Sequence, residues 1–141
     1  MSAAGELTGL KPAVSFLKIE GDHAWLAGAK CGKCGTVYVG KKDVCAKCFA
    51  RDAMKPIKLA DTGKLYNYTV VHRNFPGVPV PFISAIVDLD GGGTLKGNLL
   101  DVEPDPAKIK FDMPVKVVYR DAGRKDKEGN SYLAYFFVPA N

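Results

Sequence analysis

The chain has 141 residues and a formal charge of +5, from 20 Lys and Arg against 15 Asp and Glu, with 47% apolar residues. That length suits one ordinary domain, or a small metal-clipped module beside a small core domain. No stretch is long and apolar enough to cross a membrane, and the mild positive charge suits either phosphate-bearing partners or a plain solvated surface.

Residues 1–30 precede a cysteine cluster. The first ten, MSAAGELTGL, have no basic n-region and no apolar h-region, so no secretory signal is read and a cytoplasmic location is expected. Pro12 can open a short helix and Gly21 can close it. Leu10, Val14 and Leu17 fall at i, i+4 and i+7, which makes one apolar stripe. The expectation is a short helical arm within 1–30, too short to persist alone and so packed on its own domain or on another subunit. Trp25 either anchors such a subunit or packs on the module that follows.

Cys31, Cys34, Cys45 and Cys48 are spaced C-x2-C-x10-C-x2-C. Two such pairs, a hairpin's length apart, can converge on one tetrahedral ion, and thiolates are the ligands Zn2+ takes in closed structural sites. A disulfide framework needs an oxidising compartment. A thioredoxin-like redox pair explains one Cys-x-x-Cys but not its twin, whereas rubredoxin-type iron fits the same four thiolates and stands as the alternative to zinc. Four thiolates leave no open position to activate water, so the ion would hold a fold. Zn2+ with four thiolates also carries a net negative charge, which lowers the basicity available for nucleic acid. Gly35 follows the first pair, where a tight turn lets N–H groups approach the sulfurs; Phe49 follows the second and lacks this help. Residues 36–39 read as a hairpin strand and 40–43 as a turn, so 31–60 is expected to be a zinc ribbon. Residues 51–59 read as a transition in which Pro56 breaks any helix.

From residue 61 to 141 the pattern is that of strands: 64–73, 82–90, 94–100, 115–120 and 132–138. In the first, Leu65, Asn67, Thr69 and Val71 share one face, and Tyr66, Tyr68, Val70 and His72 the other. The proline-rich loop 74–81, the Gly91-Gly92-Gly93 turn, the acidic connection 101–114 and the polar loop 121–131 separate them. Gly97 is a candidate bulge. Five short strands with one longer connection suit a closed five-stranded OB-fold barrel, which removes exposed edges; an SH3-like barrel or small sandwich is the alternative.

Taken together, a helical arm, a ribbon opening C-x-x-C-G (31–35, closed by 45–48) and a barrel beginning G-K-L-Y-N-Y-T-V-V-H (63–72) resemble the rubredoxin-like zinc-ribbon plus OB-fold family. The I-V-D-L-D-G strand (86–91), the M-P-V step (113–115) and the terminal F-V-P (137–139) resemble it too. The resemblance covers nearly the whole chain, and its most specific part is the cysteine spacing together with the V-V-H strand. It implies an accessory role. Members accompany thiolases, HMG-CoA synthases, thiolase-like acyltransferases and lipid-transfer-type aldolases, bridging subunits and helping to hold acyl-CoA. The small subunit of a benzylsuccinate-pathway thiolase is one candidate. The chain departs from the family pattern at Val39-Gly40-Lys41-Lys42, where an aromatic-Pro-Pro-Arg step is usual, and at Phe49, where Gly or Ser is usual.

Catalysis by this chain is not expected. All four cysteines belong to the metal motif, and only His23 and His72 remain, in different segments. His72 either meets a ligand at a barrel mouth or is a structural donor. On the accessory reading, the arm and the apolar last strand (Tyr135, Phe136, Phe137, Val138) bury against a larger catalytic subunit. His72, Arg73, Lys96, Arg120, Arg124 and Lys125 are then the candidate contacts for CoA phosphates. The second hypothesis is single-stranded nucleic-acid binding on exposed Tyr66, Tyr68 and Tyr119. The scattered positive charge speaks against it. Rubredoxin-like electron transfer is the third.

Overall fold

A computed structural model of the chain describes residues 10–140. The described residues form ten strands: β1 (Lys11–Pro12), β2 (Leu17–Glu20), β3 (His23–Cys31), β4 (Val37–Val39), β5 (Met54–Lys58), β6 (Thr62–Val71), β7 (Phe82–Leu89), β8 (Thr94–Leu99), β9 (Pro114–Lys125) and β10 (Ser131–Pro139). No helix occurs among them, which corrects the helical arm. The part of that arm in 1–9 lies outside the described residues. Leu17-Lys18-Ile19-Glu20 alternates apolar and polar, with Leu17 fully buried and Ile19 half-buried, and so pairs as a strand with β3. The i, i+4, i+7 spacing of Leu10, Val14 and Leu17 is a coincidence of a segment that finds its backbone partners elsewhere. Lys11 and Pro12 lie parallel to Tyr132 and Leu133 of β10, and the Ala13 N–H donates to the Leu133 carbonyl at 2.9 Å.

β6, β7, β8, β10 and β9 close on themselves in that order, with β9 returning to β6. All neighbours are antiparallel except β8 and β10, which run parallel through Leu99 and Phe137. This is a five-stranded OB-fold barrel, and it leaves no open edge within the ring. Leu65, Ala85, Val87, Leu133 and Phe137 fill it, each essentially inaccessible to solvent. The last strand therefore contributes Phe137 and Leu133 to its own barrel; Tyr135 and Phe136 are half-buried, and Tyr135 packs on Phe16 and Phe137.

The face assignment of β6 changes partway. Leu65 pairs with Val87 but Asn67 with Ile86, so Tyr66 is an extra, bulged residue. The bulge transfers the inward face from Leu65 to Tyr68 and Val70, leaving Asn67 and Thr69 exposed. The expected bulge at Gly97 is absent, because its register with Ala85 is unbroken. A Cβ there would lie 2.8 Å from the Tyr135 ring and 2.9 Å from the Phe137 ring, so Gly97 makes room for two aromatics.

β3 is the spine of the ribbon. Its first half pairs with β2, and its second half lies between β4 and β5. Pro56 does break a helix, but it sits in β5 opposite Ala29. β5 pairs with β3 alone, and an edge strand tolerates a residue without an N–H. The ribbon shares the barrel's core: Leu17, Leu26 and Leu59 are buried in the same cluster, and Val37 and Val39 pack on it. Trp25 packs on this module, donating from Nε1 to Glu20 at 3.1 Å under the Lys58 ammonium.

Candidate metal centre and flanking cleft

Cys31 ends β3 and Cys34 stands in the turn into β4, so the first pair is the tip of the β3–β4 hairpin. Cys45 and Cys48 form a second tip, closed by a bridge between Val44 and Arg51. The two tips face each other. All four Sγ atoms lie within 4.8 Å of one another, with Cys31 to Cys48 at 3.6 Å and Cys34 to Cys45 at 3.5 Å. Four sulfurs around one Zn2+ at about 2.3 Å stand roughly 3.8 Å apart, so the cluster fits a closed four-thiolate site.

The knuckles repeat one backbone motif. The N–H of Gly35 donates to the Cys31 carbonyl at 2.9 Å, and that of Phe49 to the Cys45 carbonyl at 2.9 Å. Gly35 has φ +80° and Phe49 has φ +61°. The position after each pair must be left-handed, which glycine adopts freely and phenylalanine adopts under strain. The Phe49 ring gains nothing in return from its own chain, being 76% exposed.

The sulfurs are unequal. Tyr38 lies 3.3 Å from Cys45 Sγ, and its oxygen accepts the Ala46 N–H at 2.9 Å. That hydroxyl, then the Cys48 and Lys47 amides, hold the Cys45 thiol down to about 5. The amides of Cys34 and Lys33 lower Cys31. Cys48 receives the Ala50 amide, yet burial and the three neighbouring sulfurs push it up to about 11. The Tyr38 hydroxyl is itself raised by its bond to Cys45, so it stays a donor. Thr36 Oγ1 supports Cys34 at 3.1 Å. These supporting groups were missed in the sequence, although Thr36 and Tyr38 stand two apart in the run 36–39 that reads as extended, where alternate residues share a face. A divalent cation resolves the competition by deprotonating all four thiols.

On the ribbon's flank, β2, β3, β5 and the turn after β4 enclose a cleft of about 640 Å3. Lys18, Lys41, Lys42 and Lys55 line it against one carboxylate, Asp43, and Phe16 and Pro56 give it an apolar wall. Sequence reading missed this cleft because its lysines come from three separate segments.

The six predicted phosphate contacts lie elsewhere, and none lines the cleft. His72 and Arg73 are exposed just past β6, and Lys96 is exposed on β8, its carbonyl accepting from the Tyr135 hydroxyl. Arg120, Arg124 and Lys125 follow one another along β9, where Arg120 pairs with Asp101 at 3.1 Å and Arg124 lies over the Tyr132 ring. The three tyrosines do not make a stacking platform. Tyr66 is exposed, but Tyr68 packs on Phe111 and Tyr119 is half-buried, its hydroxyl pushed up to about 12 by burial and by Asp61. His23 lies beside Asp22 and Glu20, far along the chain from His72.

Residues 57–120 match the family described as ChsH2, C-terminal OB-fold domain. A DUF35 domain-containing scaffold protein of Methanocaldococcus jannaschii is 33% identical over 117 residues, which span 81% of each chain. A benzoylsuccinyl-CoA thiolase subunit, BbsA, of Geobacter metallireducens is 27% identical over 84 residues, 60% of this chain and 56% of that one. Among solved structures, a chain of the Ltp2-ChsH2(DUF35) aldolase superposes with a TM-score of 0.65 at 30% identity, over 83% of this chain and 86% of that one.

Proposed function

The chain belongs to the DUF35 scaffold-protein family, and from that premise we propose that it is a non-catalytic accessory subunit of a thiolase-superfamily or related aldolase enzyme. It bridges to a larger catalytic subunit and helps that subunit hold acyl-CoA. The observation that carries this reading is the likeness to the DUF35 aldolase chain. It extends over more of the sequence than the barrel alone provides, and so takes in part of the ribbon. The thiolase-subunit relative supports a CoA ester as the substrate class.

The chemistry of the chain agrees. A thiolase-type step needs a nucleophilic cysteine with a base. The four cysteines of this sequence are gathered in one cluster suited to a metal. We take that ion to be structural Zn2+, in a cytoplasmic setting where thiols stay reduced. The barrel cations His72, Arg73, Lys96, Arg120, Arg124 and Lys125 are, on this reading, contacts available to CoA phosphates at the junction with the partner.

The test is affinity capture of the chain from its native extract, followed by gel filtration. The expected result is co-elution with a larger polypeptide that carries a catalytic cysteine or an aldolase centre and loses activity when this chain is removed. A stable monomer that no thioester-processing enzyme requires would overturn the reading.

A further inference from the structure

We infer that the ribbon cleft is a site for a phosphate-bearing ligand of nucleotide size, held by Lys18, Lys41, Lys42 and Lys55. Three observations converge on it. The cleft, at about 640 Å3, lies within the roughly 300–1,000 Å3 range of small-molecule sites. Its charge is one-sided, with four ammonium groups and one carboxylate in its lining. Among the described residues none of the four pairs with a carboxylate, whereas Lys11 pairs with Asp126 and Arg120 with Asp101. Lys18 has only the Ser15 carbonyl at 3.2 Å, and the Lys42 ammonium lies over the Tyr38 ring at 5.1 Å.

Like charges gathered in one cleft repel one another, and a polyanion relieves that repulsion. Phosphate oxygens suit lysine, which acts as a point charge with three donors and needs no fixed fork. The apolar wall of Phe16 and Pro56 gives a planar base a surface to lie against. A bare inorganic anion uses only the lysines, whereas a nucleotide uses the lysines and the apolar wall together. The barrel cations offer no such combination, being spread over separate stretches and partly neutralised.

The choice of coenzyme A as probe rests on the acyl-CoA reading above; the cleft rests on its own geometry. The experiment is isothermal titration of the full, metal-loaded chain at low ionic strength with coenzyme A, adenosine 3′,5′-bisphosphate, pyrophosphate and pantetheine. Coenzyme A and the bisphosphate are expected to bind, more tightly than pyrophosphate and less tightly as salt is added, while pantetheine does not bind. Lys41→Glu with Lys55→Glu is expected to weaken binding by roughly tenfold or more. Lys108→Glu with Lys110→Glu, two exposed residues of the barrel connection between β8 and β9, should leave it within about twofold. Lys42 is left intact because it contacts Tyr38 beside the metal, and metal content confirms that each variant is folded. Absence of binding by every phosphate-bearing probe overturns the inference. So does binding that survives the cleft variant, or that falls equally in the barrel variant. If the cleft variant instead abolishes co-elution with a partner protein while no phosphate probe binds, the lysines hold an acidic protein segment and the inference is wrong. Nucleotide binding without any partner leaves the inference standing and sinks the accessory reading.

Discussion

The barrel and the metal knuckles are held together by different physics. The barrel buries a continuous apolar cluster from Leu65 to Phe137, into which the near end of the ribbon, at Leu17, Leu26 and Leu59, is also absorbed. The knuckles bury only Cys31, Cys45 and Ala50, with Tyr38, Ala53 and Met54 partly packed against them. So small an apolar cluster cannot offset the entropy of ordering two turns, whereas a tetrahedral ion can. The near end of the ribbon is packed into the barrel's core, and its far end has little beyond the four-cysteine cluster to hold it.

The largest expected effect follows from that division. Stripping the metal with a chelator, or Cys45→Ser, should disorder the two tips while the barrel persists, since an apparent stabilisation of order 10 kcal/mol is typical of structural zinc. Hydrogen exchange would then show the Gly35 and Phe49 amides losing protection and the β7 amides keeping it. Loss of the barrel along with the tips would break the comparison. The pH dependence has a definite sign. Binding needs four thiolates, and the metal-free Cys48 thiol sits near 11, so uptake at neutral pH releases protons and affinity falls as pH falls. Cys45, near 5, contributes little to that proton release.

The converse substitution comes next. Phe137 is fully buried at the centre of the barrel, and Phe137→Ala should cost about 3–5 kcal/mol in urea unfolding. Metal content should be unchanged under conditions where the barrel is still folded. A matched loss of both would show that the two regions are one cooperative unit.

Smaller is the effect of the Tyr38 hydroxyl. Tyr38→Phe keeps the ring that packs on the knuckle core but removes the donor to Cys45. Metal affinity measured by competition with a chromophoric chelator should fall about tenfold to a hundredfold, with barrel stability unmoved. An unchanged affinity would remove Tyr38 from the support of the cluster.

What could be read in the chain without coordinates divides along the same line. The barrel strands were legible because one buried face imposes a period of two, and the four cysteines because their spacing is chemistry-specific. The β6 bulge was not, because Tyr66 carries no turn signal; it is visible only as a shift in register against β7. The arm read as a helix because three apolar residues happened to fit that period, while the shorter Leu17-Lys18-Ile19-Glu20 alternation, which decides the outcome, competes over only four positions. Pro56 marked a break in helix correctly but concealed an edge strand. The lysine cleft could not be anticipated, since nothing local links Lys18, Lys41 and Lys55.

The finest comparison is between the knuckles themselves, and Phe49→Gly tests it. Gly35 and Phe49 make the same hydrogen bond at the same length, from the same left-handed region. The β-carbon of Phe49 makes that conformation costly by roughly 1–2 kcal/mol, while the extra freedom of a glycine in the unfolded chain returns about half of this. The net expectation is a gain of about 0.5–1 kcal/mol, read as slower metal release to a chelator and a slightly higher unfolding midpoint. The exposed ring offers no packing to lose. A destabilised variant would mean that the ring does contribute to the fold of the second tip, and the equivalence drawn between the two turns would fail.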